Sequence, residues 1–254
     1  MLVGTSDSRI ADNNIGDNYH GILLTFSSNN NTVIENNATR NLVYAIFVKR
    51  SDNNSIIRNN VGDNYGVQGT ATLGYGLVID GMNNCAFENN FVGNYGGVRL
   101  GASFNNSREL NNSIYHNNFI NNTIQVYQFY ASTFPNFWDD GYPSGGNYWS
   151  DYNGTDFYRG SSQNESGFDG IGDFPYVVDQ NNTDRYPLMT PWTEIYGDVN
   201  GDRTVDIYDA ILLANAYGSG PGSPNWNAAA DINADNIVDI YDAILLANNF
   251  GKTA

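Results

Sequence analysis

The chain has 254 residues, with 11 Lys and Arg against 27 Asp and Glu, and therefore a formal net charge of −16 at pH 7. So acidic a chain is a poor partner for nucleic acids and anionic membranes, because both repel negative charge. Its length suits one large and one small domain, and no apolar run reaches the roughly 18 to 20 residues that a membrane-spanning helix needs.

Residues 1–130 contain a repeat in which two apolar residues and one variable residue precede Asn-Asn, at intervals of 23 to 30 residues. A second short apolar segment lies between successive copies. Two short strands and polar corners per period predict a solenoid of stacked coils, whose core forms only between neighbouring coils. The Asn-Asn pairs are Asn13–Asn14, Asn36–Asn37, Asn59–Asn60, Asn89–Asn90 and Asn117–Asn118.

Stacked coils place Asn36 over Asn13 and Asn59 over Asn36, which predicts a ladder of hydrogen-bonded amide side chains. We expect residues 67–74 to form the loop that absorbs the extra length of the third coil. No cap precedes the first coil. We therefore expect either that the chain is truncated there or that this open coil meets another chain, which would permit self-association.

Residues 131–190 are rich in aromatic residues, Gly and Pro, which cannot continue a two-strand coil, so we predict that they cap the solenoid. Together with the repeats, the motifs at 140–152, 167–176 and 184–188 resemble the NosD-like family, also described as carbohydrate-binding and sugar-hydrolase repeats. The resemblance implies a mainly β fold: a right-handed parallel β-helix over 1–130 with a C-terminal cap over 131–190.

The last segment, 191–254, holds two copies of one pattern, 33 residues apart, each followed by Ala-Ile-Leu-Leu-Ala-Asn. Oxygen-bearing side chains occupy positions one, three, five, nine and twelve, and position seven offers a carbonyl. Ca²⁺ takes six to eight oxygen ligands, and carboxylates this close repel one another without a cation. The predicted ligands are Asp198, Asn200, Asp202, Thr204, Asp206 and Asp209, then Asp231, Asn233, Asp235, Ile237, Asp239 and Asp242.

This duplicated loop and helix resembles the dockerin type I module, a small α-helical domain that binds cohesin domains. The resemblance implies two Ca²⁺ ions and a cohesin partner held by the helix faces, in either of two orientations related by a half turn. Position six, usually Gly because the backbone turns sharply there, holds Arg203 and Asn236. The implied partner contacts are Ile207, Tyr208, Ile240 and Tyr241.

Calcium sites with dissociation constants of about 10⁻⁴ to 10⁻³ M are useful only where calcium is abundant, so we expect an extracellular, cell-surface location. The single cysteine, Cys85, cannot form an internal disulfide. Possible N-glycosylation sites also favour an extracellular location. The sequons begin at Asn30, Asn37, Asn53, Asn105, Asn111, Asn121, Asn153, Asn164 and Asn181.

Some parallel β-helices cleave pectin, and glycoside hydrolysis needs two carboxylates about 5 to 10 Å apart. Asp139-Asp140 and Asn182-Thr-Asp184 are similar to two motifs of those hydrolases. Their order in the chain is reversed here, and the family's Gly-His-Gly and Arg-Ile-Lys motifs are missing. A lyase usually needs a cation for its uronate, but Lys49 is the only lysine outside the dockerin-like segment. We therefore predict no catalytic residues.

Three other groups of residues offer possible ligands for a metal ion or a sugar. The NosD name suggests copper, but His20 and His116 fall in different repeats, so a copper cluster is not expected. The segment 169–173, helped by Asp151 or Asp156, offers a third cation site, although a solvated Gly-rich turn is favoured. Sugar rings stack on aromatic faces such as those of Phe137, Trp138, Tyr142, Tyr148, Trp149 and Tyr152, although packing in the core or cap explains most of them.

The leading hypothesis is a non-catalytic protein for adhesion, display or carbohydrate binding, attached to a cohesin with calcium. Two alternatives stay open. An open solenoid end suits a self-assembling extracellular fibre or sheath subunit, and the fold also occurs in polysaccharide hydrolases and lyases.

Overall fold

The structure is a computed structural model that describes residues 1–67, 69, 73–101, 110–128, 135–193, 195–233 and 235–253. They form two compact units, Met1–Trp192 and Thr193–Ala254. The predicted fold class is confirmed, because the first unit is a parallel β-solenoid and the second carries two helices. Half of the loop predicted at 67–74, namely residues 68 and 70–72, lies outside the described residues.

Seventeen short strands build the described part of the solenoid. In chain order they are β1 (Leu2–Val3), β2 (Arg9–Ala11), β3 (Asn14–Gly16), β4 (His20–Thr25), β5 (Thr32–Ile34), β6 (Asn37–Thr39), β7 (Tyr44–Lys49), β8 (Ser55–Ile57), β9 (Asn60–Gly62), β10 (Tyr75–Asp80), β11 (Cys85–Phe87), β12 (Asn90–Val92), β13 (Gly96–Leu100), β14 (Ser113–Tyr115), β15 (Asn118–Ile120), β16 (Ile124–Gln128) and β17 (Tyr148–Trp149).

Each coil contributes three strands to three parallel sheets, so the prediction of two strands per period is wrong. The sheets run β1-β4-β7-β10-β13-β16, β14-β11-β8-β5-β2 and β17-β15-β12-β9-β6-β3. The strand missing from the prediction starts at the second Asn of each pair, as in β9. A strand of three residues with a single inward apolar side chain is too short to show the alternation of apolar and polar residues by which a strand is recognised in a sequence.

The predicted Asn ladder is confirmed. The Asn13 amide donates to Asn36 Oδ1 at 2.9 Å, and the Asn36 amide donates to Asn59 Oδ1 at 3.0 Å. The register agrees, because Val33 of one coil lies opposite Ile56 of the next and both are fully buried. Two further ladders run parallel to it, one through Asn31 and the other through Asn41. In the second, third and fourth coils, buried amides thus occupy all three turns.

The residues after the last coil cover its end. The indoles of Trp138 and Trp149 are 1% exposed and belong to the same core as the strands. Two small hairpins follow, formed by β18 (Tyr158–Arg159) with β19 (Glu165–Ser166) and by β20 (Tyr176–Val177) with β21 (Thr183–Asp184).

The second unit contains helices α1 (Ile207–Ala216) and α2 (Ile240–Asn249) and a 3-10 turn at Ala228–Ala230. Their shared core includes Leu213 and Leu246. Within the described part of the chain, no helix has the length and apolar character needed to cross a bilayer.

Candidate metal centre

Each predicted calcium loop leads directly into a helix, and its last acidic residues cap that helix. Asp206 is the N-cap of α1, and its Oδ1 accepts the Tyr208 N–H at 2.7 Å. Asp239 holds the same position before α2 and accepts the Tyr241 N–H at 2.8 Å. A carboxylate at this point satisfies a free backbone donor and interacts favourably with the helix dipole. The helix start therefore fixes positions nine to twelve of each loop.

In the first loop, the half-buried Asp198 and the buried Asp209 each accept hydrogen bonds from several backbone N–H groups. Asp198 accepts the N–H groups of Gly201 at 2.9 Å and Arg203 at 2.8 Å. Asp209, which is fully buried, accepts the Asp206 N–H at 2.8 Å through Oδ2. Its other oxygen accepts the N–H groups of residues 199 and 200 at 2.7 and 3.0 Å. The loop is thus folded by its own acidic side chains.

The second loop repeats this network. Asp231 accepts the Asn236 N–H at 2.9 Å, as Asp198 does from position six of the first loop. Asp242 accepts the N–H groups of Asn233 at 3.1 Å and Asp239 at 2.8 Å. The two copies therefore share geometry as well as sequence.

Position six adopts the left-handed conformation in both loops, with φ of 68° at Arg203 and 70° at Asn236. This conformation costs a residue with a Cβ about 1 to 2 kcal/mol, and Asn tolerates it better than Arg. Arg203 nevertheless adopts it, and its side chain is only 6% exposed. Burial lowers the pKa of the Arg203 guanidinium, while the negative charge of Asp198 acts in the opposite direction.

The first loop brings negatively charged side chains near one another, and their mutual repulsion favours the binding of a cation. Burial raises the pKa of Asp198, and the negative charges of Asp209 and Asp202 raise it further, against the lowering effect of the backbone N–H groups. Among the described residues, no three Asp, Glu, His or Cys side chains converge as metal ligands. The structure thus places the predicted ligands on two matching loops without gathering three acidic groups at one point. Their all-oxygen chemistry fits Ca²⁺.

The predicted partner contacts lie at the helix starts and are equally open in the two copies. Ile207 and Tyr208 are 58% and 64% exposed, and Ile240 and Tyr241 are 53% and 64% exposed. Large apolar side chains left this open at matching positions are typical of interaction surfaces.

The sequence interpretation missed an apolar groove of about 610 Å³ between α1 and α2. The sequence does contain an indication of this groove, because an aromatic residue follows each loop at the same distance. Tyr217 and Phe250 both lie eight residues after the last acidic position of their loops. Ile211 and Ile244 are further exposed residues at equivalent positions. The lining is Ala210, Leu213, Ala214, Tyr217, Ala243, Leu246, Ala247 and Phe250.

The acidic motifs of the first unit have structural partners. Asp139 receives the Arg185 guanidinium at 2.6 Å, and its side chain is 4% exposed. Asp140 accepts the Ser144 hydroxyl at 2.9 Å. Asp184 is fully buried, and burial raises its pKa to about 7.

The 169–173 segment is held by internal hydrogen bonds. Asp173 accepts the Thr155 hydroxyl and the Tyr158 N–H, both at 2.9 Å. Asp156 accepts the Gly170 N–H at 2.9 Å, and Asp169 accepts the Gln163 amide at 3.0 Å. These contacts match the favoured Gly-rich turn, in which each carboxylate stabilises a bend of the backbone.

The other predicted groups are dispersed. Trp138 and Trp149 are core residues, whereas Phe137 is 55% and Tyr142 37% exposed. The aromatic segment is therefore not one open face. Of the sequons, Asn105 lies outside the described residues and Asn37 is partly buried. The remaining ones are exposed: Asn30, Asn53, Asn111, Asn121, Asn153, Asn164 and Asn181.

Comparison with protein families gives two matches. The family described as periplasmic copper-binding protein (NosD) matches residues 1–154, more than half of the chain. The dockerin type I domain matches residues 196–251. No curated protein matches the chain.

Proposed function

The chain belongs to the NosD family through residues 1–154, and from this premise we propose that it is a non-catalytic β-helix protein attached to a cohesin through its dockerin type I domain. The family and the domain indicate an extracellular or cell-envelope location. Within that range we propose the cell surface, with the solenoid serving in adhesion, display or carbohydrate binding.

The observation that carries this proposal is the exact correspondence of the two exposed helix starts. Ile207 and Tyr208 on α1 match Ile240 and Tyr241 on α2 in residue type, position and exposure. A cohesin that recognises one pair can therefore recognise the other after a half turn of the module. Exposed Ile and Tyr also contribute large apolar contact areas, which dominate binding energy at interfaces.

Calcium holds the binding surface in shape. Each loop offers oxygen ligands from five side chains and one carbonyl, and Asp206 and Asp239 are at once predicted ligands and helix N-caps. A bound cation offsets the repulsion between the loop carboxylates. It thereby fixes the start of each helix, where the Ile-Tyr pair lies.

Copper, which the family description names, does not fit this chain. Protein copper sites use His, Cys and Met ligands, and the chain has two His, one Cys and three Met. His20 lies in the first coil and His116 in the fifth, about 19 Å apart along the axis at roughly 4.8 Å per coil. The His20 ring stacks on Tyr44 with ring centroids 5.1 Å apart. The His116 ring stacks on Trp192 with ring centroids 3.6 Å apart. Burial raises the pKa of the Cys85 thiol, which disfavours the metal-binding thiolate.

Titration calorimetry of the full chain against a panel of cohesin domains tests the proposal. We expect binding in Ca²⁺ and none in EGTA. Replacing one Ile-Tyr pair by Ser-Ser should change the affinity less than about tenfold, because the other pair is still available. Replacing both pairs should lower it at least about a hundredfold. Undiminished binding in EGTA would refute the mechanism.

A further inference from the structure

A polar and aromatic groove of about 490 Å³ opens in the first unit between residues 151–155 and 174–177. Its two sides are joined by the Tyr152 hydroxyl, which donates to the Phe174 carbonyl at 2.7 Å. A second link runs from the Asp173 N–H to the Thr155 carbonyl at 2.8 Å. The groove is therefore braced by hydrogen bonds across it.

Two tyrosines of the groove, Tyr152 and Tyr176, are held in place by packing against neighbouring residues. Tyr176 stacks on the buried Trp149 with ring centroids 4.2 Å apart and an interplanar angle of 7°. Tyr152 passes between Gly154 and Gly172, where a Cβ on either glycine would overlap its hydroxyl group. Rings held this firmly lose little conformational entropy when a ligand binds.

The rim combines an exposed ring with an oriented carboxylate. Phe174 is 64% exposed although it is large and apolar. Asp151 is also exposed, and it is oriented by the Tyr176 hydroxyl at 3.3 Å and the Gln125 amide at 3.1 Å. An open ring beside a carboxylate suits a ligand with both C–H faces and hydroxyl groups.

We propose that this groove binds a neutral polysaccharide, with Phe174 contacting a sugar face and Asp151 accepting sugar hydroxyl groups. None of the nine residues that line the groove is Lys, Arg or His, so an anionic glycan would meet negative charge without a counter-charge. A neutral sugar chain has hydroxyl donors for Asp151 and no charge to be desolvated. The proposal rests on the carbohydrate-binding role proposed above for the first unit, for which it names the class of ligand, and it is independent of calcium.

Affinity gel electrophoresis of the full, unglycosylated chain tests this proposal, because a glycan on Asn153 would stand at the groove. The probes are hydroxyethyl cellulose, xyloglucan and galactomannan, with polygalacturonate as the anionic comparison. We expect at least one neutral polymer to retard the protein, equally in Ca²⁺ and EGTA. Phe174→Ala and Asp151→Asn should each weaken that retardation about tenfold or more.

Phe168→Ala is the matched control, because Phe168 is 76% exposed but does not line the groove. It should bind as the unchanged protein does, and all three variants should keep the unchanged unfolding temperature. The proposal is overturned if no neutral polymer retards the protein, if polygalacturonate alone does so, or if Phe168→Ala weakens binding as much as Phe174→Ala. Because cohesin binding is measured separately, either proposal can fail without the other.

Discussion

Asn182 and Asp184 end two of the internal ladders of the solenoid in the same way. Asn182 Oδ1 accepts the Asn136 N–H at 2.9 Å and the Trp138 indole N–H at 3.1 Å. Asp184 Oδ2 accepts the Asn147 N–H and the Trp149 indole N–H, both at 2.8 Å. One Asn-Thr-Asp segment thus supplies the last acceptor to both stacks of buried amides.

The carboxyl group of Asp184 should make the first unit less stable as pH rises. Burial raises its pKa to about 7 in the folded protein, against about 3.9 when unfolded. Its contribution is therefore fully present below about pH 4 and is lost as pH rises through 7, by at most about 4 kcal/mol. Asp184→Asn cannot titrate. Denaturant unfolding of both proteins from pH 4 to 8 should show a stability difference that changes with pH, and parallel curves would contradict the assignment.

The buried ladder should contribute far more stability than the outer row of asparagines beside it. Asn59 is fully buried and donates to Asn89 Oδ1 at 2.9 Å and to the Val33 carbonyl at 2.9 Å. Asn59→Ala leaves several buried groups unpaired and should cost about 3 to 5 kcal/mol. Its neighbour Asn60 is exposed and donates to Asn37 Oδ1. Asn60→Ala should cost less than about 1 kcal/mol, and equal losses in urea unfolding would argue against the ladder.

We predict that each of the two loops binds one Ca²⁺ ion and can lose it independently of the other. Asp198→Asn removes one ligand charge from the first loop and Asp231→Asn removes one from the second, and each should lower the affinity of one site at least about tenfold. Calcium titration calorimetry should show two sites in the unchanged protein and one at the original affinity in either variant. Asp169→Asn is the control, because Asp169 holds a turn of the first unit. Loss of a calcium ion in that control would instead indicate a third cation site at 169–173.

Copper should not bind tightly at the histidines of the solenoid. We expect that the full chain dialysed against Cu²⁺ retains no more copper than the double variant His20→Ala, His116→Ala, because the two rings are separated by four coils. Atomic absorption of the dialysed proteins measures this. One equivalent of copper that disappears in the double variant would show that the rings do bind it.

The two matching loops and the Asn ladder could be predicted because their residues repeat. A period of 23 residues aligns Asn13 with Asn36, and an offset of 33 aligns Asp198 with Asp231. The third strand of each coil escaped prediction because it directly follows the Asn-Asn corner and offers little apolar pattern; β9 (Asn60–Gly62), for example, contains a single apolar side chain, Val61. The role of Asp184 also escaped it, since an Asn-Thr-Asp segment looks the same whether it is open to a substrate or buried under two tryptophans.

The sequence by itself determined the stacking of the coils and the matching of the two loops, because contacts between equivalent positions of a repeat follow from its period. Only the tertiary structure decided how residues 135–192 end the solenoid. Their contacts join residues that share no repeat, such as Asp184 with Asn147 and Asn182 with Asn136. Burial also distinguishes two acidic residues of this region. Asp184 is fully buried and ends a ladder, whereas Asp151 is exposed to water in the same groove as the exposed ring of Phe174.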